Sequence, residues 1–151
     1  MELHTQALNG RSGHEAGRAL LQKICGDREI AVTERGKPFF TDGSCHFSIS
    51  HTKKRVFCAL SDVPVGVDAE PLDRDIDLRL AQKILSTTER VRYDHAHDKR
   101  LALLRLWVLK EAAAKATGEG LRGYPDKTDF SPDDPRVQII EDHLVAVIEM
   151  R

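Results

Sequence analysis

Trp107-Val108-Leu109-Lys110-Glu111-Ala112-Ala113-Ala114-Lys115 is the stretch on which the reading of the fold turns. It lies late in the run 98–117, where Leu101, Leu104, Leu106, Trp107 and Leu109 supply the apolar positions of a helix. Gly118 and Gly120 follow, and glycine is favoured just past a helix end. Four-residue spacing stacks Trp107, Glu111 and Lys115 on one face. An acid and a base are thereby held beside an aromatic anchor. The three alanines after Glu111 leave room for another element or a ligand to approach closely. Taken alone, the stretch fits equally well an ordinary amphipathic helix with a Glu–Lys pair on its wet side.

Working outward, the segment before this helix reads as strands and turns. Val65-Gly66-Val67-Asp68-Ala69-Glu70 alternates, with Val65, Val67 and Ala69 on one face and Asp68 and Glu70 on the other. Two carboxylates two apart on a strand suit a hard divalent cation such as Mg²⁺, or simply the wet face of a strand. Gly66 lets a ligand or another backbone come near. His46-Phe47-Ser48-Ile49-Ser50 reads as a strand running into His51-Thr52-Lys53-Lys54-Arg55, and residues 56–61 as its hairpin partner. Hydroxyl, imidazole and cations at one strand end suit a phosphate; an ordinary polar strand exit has the same composition. Gly36 and Pro38 stiffen a turn-like segment that presents Lys37.

Residues 1–11 read as loose. Ser12-Gly13-His14-Glu15 has the form of a capping box, opening a helix that turns Ala16, Ala19, Leu20 and Ile24 inward and ends near Gly26. Residues 30–32 make a short strand, and 76–85 a helix. Ser86-Thr87-Thr88-Glu89 is a second capping box, which accounts for Glu89, although a catalytic role would also suit it. Residues 120–135 are a loop rich in Gly, Pro and Asp, and 136–141 and 144–150 two strands. The order predicts an α+β fold with a mainly antiparallel sheet and packed helices.

Composition narrows the class. A chain of 151 residues suits one domain or two small lobes sharing a core. A net charge of −1 gives no global basic field for nucleic acid, although Lys53-Lys54-Arg55 and Lys99, Arg100 and Arg105 form local clusters that could meet an acidic partner. No apolar run approaches a membrane span, and the polar opening predicts no secretion signal. Three cysteines without a C-x-x-C spacing point to reduced thiols in a cytoplasm. The seven histidines show no metal spacing.

Gly66-Val67-Asp68-x-Glu70 and Trp107-x-x-Lys110-Glu111-x-x-x-Lys115, with Asp68 and Glu111 separated by 43 positions, together resemble the signature of the 4′-phosphopantetheinyl transferase superfamily. Gly36-Lys37-Pro38 looks like that family's G-K-P loop. Phe47-Ser48-Ile49-Ser50-His51 looks like its F-N-x-S-H segment, with Ser48 where Asn is commoner. Both belong to the Sfp-type branch. The resemblance runs from about Gly17 to Met150. Only residues 1–65 precede Gly66, where Sfp-type enzymes are usually longer, so the resemblance implies two similar lobes with the first reduced. They divide a single domain, 1–151, into a lobe of about 12–63 and one of about 64–151. Part of the nucleotide grip would then be missing, or supplied by a second subunit, and self-association could cover the apolar surface left exposed.

The resemblance implies transfer of 4′-phosphopantetheine from coenzyme A to a serine of an apo acyl or peptidyl carrier protein, releasing adenosine 3′,5′-bisphosphate. It assigns Mg²⁺ to Asp68, Glu70 and Glu111. Lys110 and Lys115 would stabilise phosphate oxygens, and Arg35, Lys37, Ser50 and His51 would hold the nucleotide phosphates. Glu111 would be the base, with Glu89 second and Lys115 assisting catalysis. Carrier proteins are generally acidic, which gives the basic clusters a use. Nucleic acid and membrane are not expected partners. Two other classes stay open: a metal-dependent nuclease or phosphohydrolase, and a non-catalytic binder of coenzyme A or of a carrier protein.

Overall fold

The computed structural model describes residues 1–119 and 128–150. Its elements run β1 (Glu2–Ala7), α1 (Gly13–Cys25), β2 (Ile30–Val32), β3 (Pro38–Phe40), β4 (His46–His51), β5 (Arg55–Ser61) and β6 (Val65–Pro71). After a short 3₁₀ turn at Leu78–Leu80 come α2 (Ala81–Ile84), α3 (Thr87–Asp94), α4 (Lys99–Thr117), β7 (Val137–Ile140) and β8 (His143–Glu149). Helices and antiparallel sheets are mixed as the α+β reading requires. No helix among the described residues is long and apolar enough to cross a membrane.

Two three-stranded antiparallel sheets, ordered β1-β5-β4 and β6-β8-β7, carry the structure, with β2 and β3 pairing as a separate hairpin. Strand alternation gives each sheet two apolar faces. Val56, Cys58 and Leu60 of β5 and Phe47 of β4 pack under Ala16, Leu20 and Leu21 of α1. Phe57 and Ala59 face the other way and meet Val65, Val67 and Ala69 of β6 and Val145 of β8. Leu144, Ala146 and Ile148, the alternate residues of β8, pack under α4. The layers are therefore α1, first sheet, second sheet, α4.

Helix α4 begins at Asp98, whose side chain accepts the Leu101 amide, and ends at Gly118 in the left-handed region at φ 74°. It lies so close to β6 that a Cβ on Gly66 would run into the carbonyl oxygen of Ala112 and sit 2.5 Å from the amide nitrogen of Ala116. The alanines after Glu111 thus accommodate a strand backbone.

Four local expectations are corrected. Residues 1–11 are not loose throughout: Glu2–Ala7 pairs with β5 from Glu2↔Leu60 to Ala7↔Arg55. The segment after Gly36 is not only a turn, because Pro38–Phe40 pairs with β2. Residues 76–85 do not form a continuous helix: Asp77 caps a 3₁₀ turn, and Leu85 is already extended. In α1, Leu21 is buried where Ala19 and Ile24 were expected to be; these two are half-buried. The β7–β8 connection is a two-residue turn, Glu141 and Asp142 at φ 49° and 60°, the handedness that suits a tight hairpin. The loop expected at 120–135 falls, for 120–127, outside the described residues.

Because the clash at Gly66 is with backbone, Gly66→Ala should cost roughly 2–3 kcal/mol of stability, as overpacking does. The urea midpoint reads this, and an unchanged midpoint would contradict the close helix–strand approach.

Candidate active site

Among the described residues, strand β6 is paired to β8 along one edge only. Its other edge is met by side chains. The Val67 amide donates to Ser48 Oγ at 3.1 Å and the Ala69 amide to Ser50 Oγ at 3.2 Å. Lys37 Nζ donates to the Val65 carbonyl at 3.1 Å, and Lys115 Nζ to the Val67 carbonyl at 3.0 Å. Lys37 also bonds the Lys115 carbonyl near the end of α4. The G-K-P loop, the serine-rich strand and the end of α4 therefore converge on one strand edge.

Asp68 sits at this convergence. Its Oδ1 accepts from Lys115 Nζ at 3.2 Å and Ser50 Oγ at 3.4 Å. Its Oδ2 is buried with no hydrogen-bond partner among the described residues. Burial pushes the carboxyl up to about 7; Lys115 opposes this, and the charges of Glu111 and Glu70 add to it. Glu111 is half-buried and also raised, by burial first, with Lys115 opposing and Glu70 adding. Burial, followed by repulsion from Lys115, pushes Lys37 down to about 8.

Glu111 and Glu70 act on Asp68, and Glu70 acts on Glu111, but the three carboxylates are not drawn together. Among the described residues no three Asp, Glu, His or Cys groups are placed to hold a metal ion. The single Asp68–Glu70–Glu111 cluster expected from the sequence is not assembled as the side chains stand. The reason is competition: Glu70 Oε1 accepts from Arg74 Nη1 at 2.5 Å and from Trp107 Nε1 at 3.3 Å, while Lys115 occupies Asp68. Arg74 also lies 5.6 Å over the Trp107 ring. Arg74 was missed, although it stands four residues after Glu70.

Two cavities flank Lys115. One, of about 320 Å³, is lined by Arg35, Lys37, Ser48, Glu111 and Lys115. The other, of about 720 Å³, is lined by His51, Lys53, Asp68, Glu70, Arg74 and Lys115. Arg35 is exposed, its Nη1 on the Glu119 carbonyl at 2.7 Å. His51 is exposed, its ring lying where a Cβ on Gly13, at the start of α1, would have to go. Ser50 also lines the second cavity, but it is buried and its hydroxyl serves β6 and Asp68.

Lys110 is not in this group. It is 1% exposed and pairs at 2.8 Å with Glu89, itself fully buried. Glu89 also accepts the Ser86 amide at 2.9 Å, completing the expected capping box, and the Phe130 amide at 2.9 Å. A buried cation held by a carboxylate has no open face for a phosphate. Lys110, expected at a phosphate, and Glu89, the alternative base, stand instead as a buried pair packed between α3, α4 and the segment at Phe130.

The sequence profile of the 4′-phosphopantetheinyl transferase superfamily matches residues 64–146. The chain belongs to this superfamily. Residues of this superfamily member match 4′-phosphopantetheinyl transferase gsp of Aneurinibacillus migulanus at 37% identity over 90 residues, covering 58% of the chain and 37% of gsp. The match to 4′-phosphopantetheinyl transferase Sfp of Bacillus subtilis is 36% over 101 residues, 63% of the chain and 43% of Sfp. That to 4′-phosphopantetheinyl transferase HetI of Nostoc is 30% over 122 residues, 70% of the chain and 52% of HetI. The similarity to gsp and Sfp places it in the Sfp-type branch. The matched part of the chain spans about two fifths of the length of gsp and of Sfp.

If Lys110 serves the fold, Lys110→Met, which strands the Glu89 carboxylate, should cost about 3–5 kcal/mol. Urea unfolding measures this. Full stability with lost coenzyme A affinity would return Lys110 to the site.

Proposed function

We propose that this chain transfers 4′-phosphopantetheine from coenzyme A to the serine hydroxyl of an apo acyl or peptidyl carrier protein, releasing adenosine 3′,5′-bisphosphate. The observation that carries this reading is the position of Lys115. It bonds Asp68 and lines both cavities, with Glu111 on the wall of one and His51 on the wall of the other. A ligand with phosphates at two places, as coenzyme A has, suits two adjoining cation-lined cavities.

The donor set fits Mg²⁺. Asp68 Oδ2 is a buried hard oxygen without a hydrogen-bond partner among the described residues, the charges of Glu111 and Glu70 raise Asp68, and that of Glu70 raises Glu111. Asp68, Glu70 and Glu111 would hold the ion, with Arg74 and Lys115 giving up their contacts to Glu70 and Asp68. When bound, the ion supplies Lewis-acid neutralisation of pyrophosphate charge.

The remaining chemistry belongs to the chain. Glu111 is the base: half-buried and raised in pKa, with no hydrogen-bond partner among the described residues, it takes the proton of the carrier serine. The serine oxygen attacks the phosphorus that bears the pantetheine arm. The bond from that phosphorus to the bridging oxygen breaks, and adenosine 3′,5′-bisphosphate leaves. Lys115 stabilises the phosphate oxygens during transfer. Arg35, Lys37 and His51 hold nucleotide phosphates at the two cavity rims, and Ser50 fixes Asp68. The exposed Lys53 and Lys54 offer charge to an acidic carrier protein. We read the two sheet–helix halves as two lobes of one domain working in the cytoplasm.

A second reading is favoured by the side chains as they stand. Because the acids do not converge, the chain could bind coenzyme A or a carrier protein without transfer.

The chain, coenzyme A and Mg²⁺ are incubated with a panel of apo carrier proteins and read by intact mass. We expect one carrier to gain a phosphopantetheine. Glu111→Gln should lower the rate by at least about 100-fold, the low end for general base catalysis, with an unchanged unfolding midpoint. Coenzyme A binding without mass gain on any carrier would support the binder. Cleavage of plain DNA under Mg²⁺ would support a nuclease.

A further inference from the structure

Away from the site, the cysteines form a group of their own. Cys25 is the last residue of α1, and Cys45 immediately precedes β4. Both are half-buried and open on one surface cavity of about 510 Å³, together with Arg28 and Leu60. Both pack against the same cluster beneath α1, and Cys45 is close enough to Cys25 to raise its thiol. Arg28 is held beside them, bonded through Nη1 to Ser44 Oγ and lying 5.5 Å over the Phe40 ring. Cys58 differs: it is 0% exposed on β5, and burial pushes its thiol up to about 12. Two thiols thus share one reachable cavity, and the third is sealed in the core.

We propose that Cys25 and Cys45 are an oxidisable thiol pair, converted by a peroxide to a disulfide that closes the base of the segment 26–44. This segment includes the β2–β3 hairpin and carries Arg35 and Lys37 to the wall of the first cavity. A crosslink between its two ends ties the hairpin to both α1 and β4. The proposal does not rest on the transferase reading.

The chemistry balances with hydrogen peroxide as oxidant. One thiolate attacks a peroxide oxygen, the O–O bond breaks, and a sulfenic acid and water form. The second thiol attacks that sulfur, its proton leaves with the hydroxyl as water, and the S–S bond closes. Two thiols are oxidised, and one peroxide is reduced to two waters. Burial, then the neighbouring Cys45, hold Cys25 above the ordinary thiol value, with Arg28 opposing, which lowers its thiolate fraction. Closing a loop in this way restricts the unfolded chain and stabilises the folded one.

Reduced protein is treated with hydrogen peroxide, alkylated, digested and mapped by mass. The expected result is loss of two hydrogens from the intact chain, a Cys25–Cys45 crosslinked peptide, alkylation of Cys58 only after unfolding, a higher Tm, and full reversal by dithiothreitol. Cys45→Ser should abolish the loss of two hydrogens. Three alkylatable thiols after treatment, oxygen adducts without a crosslink, a bridge to Cys58, or a bridge between two chains would each overturn the proposal.

Discussion

Among the described residues one edge of β6 is paired to no strand through its backbone, and the rest of the site follows from how that edge is covered. Each buried amide left without a partner would cost about 1–3 kcal/mol. Here Ser48 and Ser50 accept the Val67 and Ala69 amides, and Lys37 and Lys115 donate to the Val65 and Val67 carbonyls. The serines come from the first sheet and Lys115 from α4, while Lys37 rides on the β2–β3 hairpin. Covering one strand edge therefore gathers three separate segments around β6 and its Asp68. The same contacts join the two sheets, because Phe57 and Ala59 pack on Val65, Val67 and Ala69 behind them. Covering the edge also blunts its tendency to pair with another chain.

Helix α4 sorts its charges by rotation. Lys110 turns into the core and meets Glu89, whose other oxygen holds the Phe130 amide. Glu111, one residue on, turns toward the first cavity, and Lys115, one helical turn later, reaches Asp68. The buried pair is weak evidence for net stability, since desolvation offsets much of the attraction. It does fix which face of α4 is presented to β6. Gly66 then lets that face come within backbone contact.

Much of this was legible in the sequence, for reasons visible in particular residues. Alternation revealed β4 and β6, β5 followed as the hairpin partner of β4, and capping residues revealed α1, α3 and α4. The shared face of Asp68 and Glu70 followed from period two, and it does face α4. β1 was not legible, because Glu2, His4, Thr5 and Gln6 leave little apolar pattern; its pairing depends on the distant β5. The helix expected at 76–85 failed because Ile76 and Leu85 are buried from irregular backbone rather than from one helical face. Lys110 read as a phosphate ligand because charge says nothing of burial, and its partner Glu89 lies 21 positions away. Arg74 was invisible because a strand ending at Pro71 gave no reason to look beyond it. Ser50 was read as a phosphate donor, and here its hydroxyl accepts the Ala69 amide and donates to Asp68.

Amide hydrogen exchange at Val67 and Ala69, resolved by NMR, tests the covered edge most directly. The account predicts that both amides exchange as slowly in the native protein as amides paired within the β6–β8 ladder. It further predicts that Ser48→Ala speeds Val67 selectively and Ser50→Ala speeds Ala69 selectively, while the ladder stays protected. Rapid exchange at both amides in the native protein, or protection unchanged by either substitution, would contradict it.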